Sequence, residues 1–230
     1  GDKGFRGVIV QVFKQMSDVY ADGERVYAQA GALLSKTAAV ACEASLTGME
    51  FASGIPGTLG GALRMNAGAY GGDMKQIVES AEVLTSEGEV LNLTNEELGM
   101  GYRTSVIAKN DYVALSAVLK LEKGDRQEIR AYMEDLKERR VTKQPLEFGS
   151  AGSTFKRPEG YFAGKLIQDS GMQGYRVGDA QVSEKHCGFV INRGNATAAE
   201  VMQLMKDVAD RVEEKFGVRL EPEVRRIGEF

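Results

Sequence analysis

Histidine occurs once in this 230-residue sequence, at position 186, and cysteine only twice, at Cys42 and Cys187. The two thiols have neither the spacing of a metal-binding pair nor the number that a disulfide framework needs. No metal centre is therefore expected, and both cysteines read as small, buried or half-buried apolar side chains. A lone imidazole and the lack of a Gly-x-Ser-x-Gly elbow also argue against a hydrolase nucleophile. Long apolar runs are missing: none approaches the roughly 20 residues that a membrane-spanning helix requires. Positive charge is not in excess either. With 29 Lys and Arg against 33 Asp and Glu, the net charge is −4. That balance argues against a broad nucleic-acid or anionic-membrane surface, so a phosphate-bearing ligand must be met by a local basic cluster. The opening residues, Gly1-Asp2-Lys3-Gly4-Phe5-Arg6-Gly7, are not a basic stretch followed by an apolar one, and a cytoplasmic location without a secretory signal is expected.

What is present alternates between strand and helix patterns. Val8, Val10 and Val12 alternate with Ile9 and Gln11, which predicts an opening strand, and a second strand is expected over Arg25 to Gln29 after an Asp22-Gly23 turn. A helix is expected from Leu33 to about Ala44. Ala81 to Leu84 and Val90 to Leu93 form a hairpin pattern, and Thr94 with Glu97 has the form of a capping box opening a short helix. Tyr112 to Leu121 is a further strand. The polar stretch from Glu122 to Arg126 precedes a helix with Ile129, Met133 and Leu136 at helical spacing, and a domain boundary is placed there, giving domains 1–122 and 123–230. In the second, a short helix over Lys165 to Ser170, a strand over Gly188 to Asn192 and a final helix starting at Thr197 are expected. Val201, Leu204, Met205, Val208 and Val212 line one face of that final helix. Val218 to Leu220 and Val224 to Ile227 read as two closing strands. The mixture implies an α+β architecture in two units.

The densest glycine segment runs from Gly54 to Gly72. Such loops expose backbone N–H groups where a side chain would block them, which suits a pyrophosphate, although tight strand-to-helix packing also explains glycine. The spacing fits neither a P-loop nor the Gly-x-Gly-x-x-Gly fingerprint of a dinucleotide fold.

The full string Gly54-Ile55-Pro56-Gly57-Thr58-Leu59-Gly60-Gly61-Ala62, continuing to Met65-Asn66-Ala67-Gly68-Ala69-Tyr70-Gly71, resembles the segment that lines FAD in the UDP-N-acetylenolpyruvoylglucosamine reductase family. The resemblance extends over the rest of the chain. It implies an FAD-binding domain of the vanillyl-alcohol-oxidase type, incomplete at its N-terminus, followed by a C-terminal α+β substrate-binding domain. It also implies FAD contacts at Gly54, Ile55, Pro56, Gly57, Thr58, Gly60, Gly61, Asn66, Ala67 and Gly68. The reaction implied uses NADPH as reductant and converts the enolpyruvyl ether of UDP-N-acetylglucosamine enolpyruvate to UDP-N-acetylmuramate. That step belongs to peptidoglycan precursor synthesis and so to cell-wall biogenesis, cell shape, cell cycle and cell division. No nucleic-acid partner is expected, and nothing in the sequence names a protein partner.

Hydride addition beta to the substrate carboxylate places negative charge on the carboxylate and alpha carbon, so the site needs a cationic stabiliser and an acid. Arg103, in Gly101-Tyr102-Arg103-Thr104-Ser105, matches the family's Tyr-Arg motif, and a guanidinium can hold a carboxylate through two parallel bonds; without the motif it reads as a surface loop arginine. Ser153, in Gly149-Ser150-Ala151-Gly152-Ser153-Thr154-Phe155-Lys156-Arg157-Pro158, aligns with the family's proton donor. A serine is a poor acid and needs a site that stabilises its alkoxide; the plain alternative is a loop turn. Glu223 matches the family's closing glutamate, a role that requires its carboxyl to hold or share a proton beside the substrate carboxylate. Strand periodicity puts Glu221 and Glu223 on one side and does not choose between them. Tyr102, Lys143 and Arg157 are candidates for the substrate diphosphate, and His186 reads as structural.

Relatives of this family carry a further N-terminal segment with a Gly-x-Gly-Ser-Asn loop that cradles the FAD diphosphate, and by resemblance Gly1 to Gly4 enter just after it. A second reading follows, in which the chain is a UDP-sugar-binding fragment inactive for lack of that loop.

Overall fold

The computed structural model describes residues 1–230, and its backbone separates into two compact units. The central unit is Val10–Arg140; the terminal unit combines Gly1–Ile9 with Val141–Phe230.

The central unit contains β1 (Val19–Asp22), β2 (Arg25–Gln29), α1 (Leu34–Glu43), β3 (Leu46–Thr47), α2 (Leu59–Met65), β4 (Gly68–Ala69), β5 (Gly72–Asp73), β6 (Val78–Leu84), β7 (Val90–Thr94), α3 (Val106–Lys109), β8 (Val113–Lys120) and β9 (Glu122–Lys123). The long helix α4 (Arg126–Lys143) begins within it. Its main sheet is antiparallel in the order β1-β2-β8-β6-β7. Alternation along these strands sends Val26, Ala28, Ala81, Val83, Ala117 and Leu119 into the core, where Leu34 and Ala38 of α1 and Leu59 and Leu63 of α2 meet them. The opposite face is polar: Tyr20 stacks on Tyr27 at 4.9 Å, and Arg25 grips Glu79 with two bonds of 2.6 and 2.8 Å. Gly23 (φ +61°) and Gly88 (φ +86°) supply the left-handed residue in the two hairpin turns.

The terminal unit contains β10 (Gly149–Ser153), α5 (Ala163–Asp169), β11 (Arg176–Val177), β12 (Ala180–Val182), β13 (Phe189–Asn192) and α6 (Ala198–Phe216), with an antiparallel sheet ordered β10-β13-β12-β11. Phe155, Leu166, Ile167, Ala180 and Val182 form its core with Leu204, Met205, Val208 and Val212 of α6. A capping box opens α6: the Thr197 hydroxyl accepts from the Glu200 amide while the Glu200 carboxylate accepts from the Thr197 amide, and Gly217 (φ +67°) ends it.

Four expectations from the sequence are corrected. The alternating residues Val8 to Val12 form no strand, because no neighbouring strand pairs with them, and Val8 is 89% exposed; the first strand is instead Val19–Asp22. Thr94 and Glu97 make their reciprocal bonds, but the chain turns away at Gly99 (φ +51°) before a helix can propagate. Residues 218–220 and 224–227 are not strands, and this segment keeps a single bridge, Phe155 to Pro222. Finally, 122–126 is no linker: β9 pairs with β3, and Asp125 accepts from the Gln127 and Glu128 amides to start α4. The backbone therefore divides at Arg140/Val141, downstream of the boundary placed near 122.

Leu204 is fully buried in the terminal core, so Leu204→Ala should lower the stability of that unit by about 2–5 kcal/mol. Thr197→Ala should cost about 1 kcal/mol through the lost cap. Urea unfolding curves of the two variants check both values and their order.

Candidate functional site

The glycine segment is anchored at the end of β2. The Leu59 and Gly60 amides donate to the carbonyls of Ala32 and Ala30, each at 2.8 Å. Gly60 is demanded by that approach, since a Cβ there would lie 3.0 Å from the Ala30 side chain, and Gly72 is demanded by Phe51 at 2.5 Å. Gly57 and Gly61 are different. A Cβ on Gly57 would meet nothing within 4 Å and one on Gly61 only Thr58 Oγ1 at 4.0 Å, while the amides of Gly57, Thr58 and Gly61 find no acceptor in the chain. Internal packing does not call for these two glycines. They leave a bare backbone with donors facing outward, which fits a phosphorylated cofactor laid against it. Pro56 is exposed beside them, Ile55 is half-buried against the core, and Gly54 is half-buried.

Asn66, Ala67 and Gly68 lie deeper. Asn66 sits at the end of α2 in the left-handed region (φ +46°) and is 3% exposed. Its amide oxygen accepts from Lys75 N at 2.8 Å, and its Nδ2 donates to Asp73 Oδ2 at 3.2 Å and to the Gly101 carbonyl at 3.1 Å. Both amide hydrogens are thus committed inside the protein. Ala67 is buried, with its amide and carbonyl bonded to Ala62 and Met74, and Gly68 abuts Gly72 in the β4–β5 hairpin.

Through the Gly101 carbonyl, Asn66 holds the turn that presents Arg103. Gly101 and Thr104 exchange backbone bonds of 3.0 and 3.2 Å across Tyr102-Arg103. Arg103 occupies the left-handed region at φ +54°, and its guanidinium lies 5.1 Å from the Tyr102 ring centroid. A non-glycine residue there is strained, and such strain persists where the surroundings fix it. Ser105 follows, fully buried, donating to the Arg64 carbonyl.

The terminal unit brings the Glu223 backbone beside the residue that follows the Ser153 strand. Ser153 pairs with Phe189 after a bulge that Gly152 (φ +83°) makes possible, and its exposed hydroxyl forms no hydrogen bond within the chain. The next residue, Thr154, is buried: its amide donates to Gly188 at 2.8 Å, its hydroxyl accepts from Val190 at 3.0 Å, and its carbonyl accepts from Glu223 N at 2.9 Å. The Glu221 carboxylate is exposed and ion-paired with Lys156.

Among the expected substrate residues, Arg157 is held over the Phe162 ring at 3.9 Å with its Nε donating to the Tyr161 carbonyl at 3.2 Å. Tyr161 and Phe162 are exposed beside it. Lys143 ends α4, where a positive charge complements the helix carbonyls. His186 keeps an exposed edge, yet desolvation of its ring holds it below the ordinary imidazole range, and the Lys143 charge pushes the same way. Its Nδ1 accepts from Gly188 N at 3.1 Å, consistent with a neutral, structural ring. Tyr102 and Arg103 belong to the central unit, whereas Lys143, Ser153, Arg157 and Glu223 belong to the terminal one.

Two residues of this region were given no role from the sequence. Arg140, within the charged run Glu138-Arg139-Arg140, looks like one more solvated helix cation, but its Nε is buried and without a partner. Tyr70 stands at a left-handed turn position (φ +53°). The signal for Tyr70 is legible afterwards: a two-residue hairpin loop ending in Gly71 ordinarily begins with Asn or Asp.

Residues 1–94 match the family model described as FAD binding domain, and residues 144–227 match UDP-N-acetylenolpyruvoylglucosamine reductase, C-terminal domain. UDP-N-acetylenolpyruvoylglucosamine reductase of Agathobacter rectalis is 53% identical over 242 residues, covering 100% of this chain and 77% of the relative. The enzyme of the same name from Alkaliphilus oremlandii is 59% identical over 228 residues, covering 99% and 75%. The crystal structure of UDP-N-acetylenolpyruvylglucosamine reductase from Thermus caldophilus aligns with a TM-score of 0.76 at 38% identity, covering 87% of this chain and 72% of that one.

The strain at Arg103 is open to direct measurement. Arg103→Gly should be more stable than Arg103→Ala by roughly 1 kcal/mol, because both remove the same side chain and only glycine relieves the strain; melting curves of the two variants decide it. For His186, the folded imidazole titrates below the unfolded value of about 6.5, so the unfolded chain binds the extra proton in the interval between them. Stability of the terminal unit should therefore fall as the pH drops below about 6.5, and His186→Gln should flatten that dependence in urea melts run across the interval.

Proposed function

The chain belongs to the UDP-N-acetylenolpyruvoylglucosamine reductase family, and from this we infer that it reduces the enolpyruvyl ether of UDP-N-acetylglucosamine enolpyruvate to UDP-N-acetylmuramate in peptidoglycan precursor synthesis. It is an FAD-dependent oxidoreductase with NADPH as reductant. The observation that carries this reading is the set of relatives more than half identical over essentially the whole chain. The bare backbone at Gly61 supports it independently, because neither packing nor a positive φ requires glycine there. A nucleotide-sugar substrate argues for a cytoplasmic enzyme with a part in cell shape and division. No helix is long and apolar enough to cross a membrane.

Bound along Gly54 to Gly61, FAD would supply the hydride chemistry that couples oxidation of NADPH to reduction at the enolpyruvyl carbon beta to the substrate carboxylate. The chain's own residues manage the charge and the proton. We assign Arg103 to the carboxylate, where a guanidinium held out on a fixed turn can offer two parallel donors to the growing enediolate. Ser153 gives its proton to the alpha carbon, which completes addition of hydride and proton across the double bond. Its exposed hydroxyl has no competing partner in the chain, and the bonds made by Thr154 fix the backbone from which it projects. Glu223 is assigned to the carboxylate end of the substrate on its match to the family's closing motif. Gly54, Ile55, Pro56, Gly57, Thr58, Gly60 and Gly61 are assigned to FAD through backbone contacts. Asn66, Ala67 and Gly68 support that surface and the Arg103 turn from behind. Tyr102, Lys143 and Arg157 are assigned to the UDP diphosphate, with Arg157 braced on Phe162.

The activity is tested by following NADPH oxidation with FAD present; it should depend on the enolpyruvyl UDP-sugar, and no turnover with that substrate rejects the reading. Ser153→Ala should slow transfer to the substrate by at least about 100-fold while leaving flavin reduction by NADPH near normal. Stopped-flow absorbance separates the two half-reactions, and equal slowing of both would remove Ser153 from the acid role.

A further inference from the structure

Arg140 combines three features that a solvated helix cation does not need. Its Nε is the buried side-chain nitrogen that finds no hydrogen-bond partner. Its side chain lies against Gly54: a Cβ there would sit 2.9 Å from Nε and 3.4 Å from Cζ, so a larger residue would push the arginine from this position. Its Cζ stands 5.6 Å from the centroid of the Tyr70 ring, a distance at which a cation is attracted by the aromatic face.

Tyr70 holds that place against its own backbone preference. Strands β4 and β5 pair Gly68 with Asp73 and Ala69 with Gly72, leaving Tyr70 and Gly71 as a two-residue loop. Both have positive φ, +53° and +90°, which is the tight hairpin turn that favours Asn or Gly at its first position. Gln76 Nε2 fastens the turn by donating to the Gly71 carbonyl at 3.1 Å. A bulky aromatic residue in this position is strained, and its ring faces the guanidinium. Leaving a buried donor unsatisfied is also unfavourable, and arginine cannot relieve the cost by losing its proton.

We propose that Arg140 is a cofactor-binding residue, preset by Gly54 and Tyr70 to donate to an electron-rich oxygen or nitrogen of bound FAD. This rests on the reading of Gly54 to Gly61 as the flavin surface, because Arg140 lies against the first residue of that string. In the FAD-free chain its Nε is unsatisfied, and the cofactor supplies the missing acceptor. Gly54 therefore also admits the arginine, beside the backbone contact with FAD assigned to it above.

The test compares the wild-type chain with Arg140→Gln and Arg140→Lys by FAD titration and by melting with and without FAD. Arg140→Gln should weaken FAD binding by about tenfold or more, with Arg140→Lys between it and wild type because charge alone replaces part of a planar donor. The FAD-free melting temperature should not fall, since the residue removed was unsatisfied there. Unchanged FAD affinity in Arg140→Gln overturns the proposal. So does an FAD-free chain that melts earlier, which marks a structural arginine, and so does a variant in which only the KM for the enolpyruvyl substrate rises. A wild-type chain that does not bind FAD at all overturns the flavin reading along with it, whereas tight binding in both wild type and Arg140→Gln overturns this proposal alone.

Discussion

The hydrogen bonds of Asn66 are what the central unit's functional surface depends on. One buried amide, on a residue already in a left-handed conformation, connects three segments far apart in sequence: the end of α2, the Asp73–Lys75 turn and the Gly101 turn. The Asn66 amide is itself buried and would otherwise be unpaired, so the link is enforced by its desolvation as much as by attraction. The consequence is geometric. The turn carrying Arg103 is tied through this one side chain to the end of α2, the helix whose first turn holds Gly60 and Gly61.

The terminal unit solves a similar problem with Thr154. Its amide, hydroxyl and carbonyl each bind a different backbone group, at Gly188, Val190 and Glu223. A residue so fully used cannot rotate, and the serine before it inherits that rigidity. The bulge at Gly152 then lets Ser153 leave the regular alternation of the sheet while remaining paired with Phe189. Polar groups spent internally thus leave one hydroxyl uncommitted, on a backbone that is held in place.

Much of the fold was legible in the residues, for reasons that differ by element. The apolar face of α6 and its Thr197–Glu200 box are local and repetitive, and they appear where the spacing predicts them. Val8 to Val12 shows the opposite case, because alternation states what a strand would bury but not whether a partner strand exists. The Thr94–Glu97 pair makes the bonds of a helix start, yet one left-handed glycine stops the helix. In the site, Ser153, Arg103 and Glu223 were indicated by motif resemblance and not by physics; spacing leaves Glu221 and Glu223 equal, because strand alternation puts both on one side. Arg140 was illegible because an arginine in a charged helix has no sequence mark of burial. Its environment is set by Gly54 and Tyr70, more than sixty positions away.

Three of the five non-glycine residues with positive φ, Asn66, Tyr70 and Arg103, stand in this one region. Each occupies a conformation in which glycine would be easier, so drift under selection for foldedness alone would replace them early and leave a well-folded descendant. The fold of such a lineage would outlast its chemistry. Persistence of an aromatic residue and an arginine at positions 70 and 103 in related chains would therefore record continued use of the site, whereas their joint decay to glycine or asparagine would mark copies retained for some other purpose.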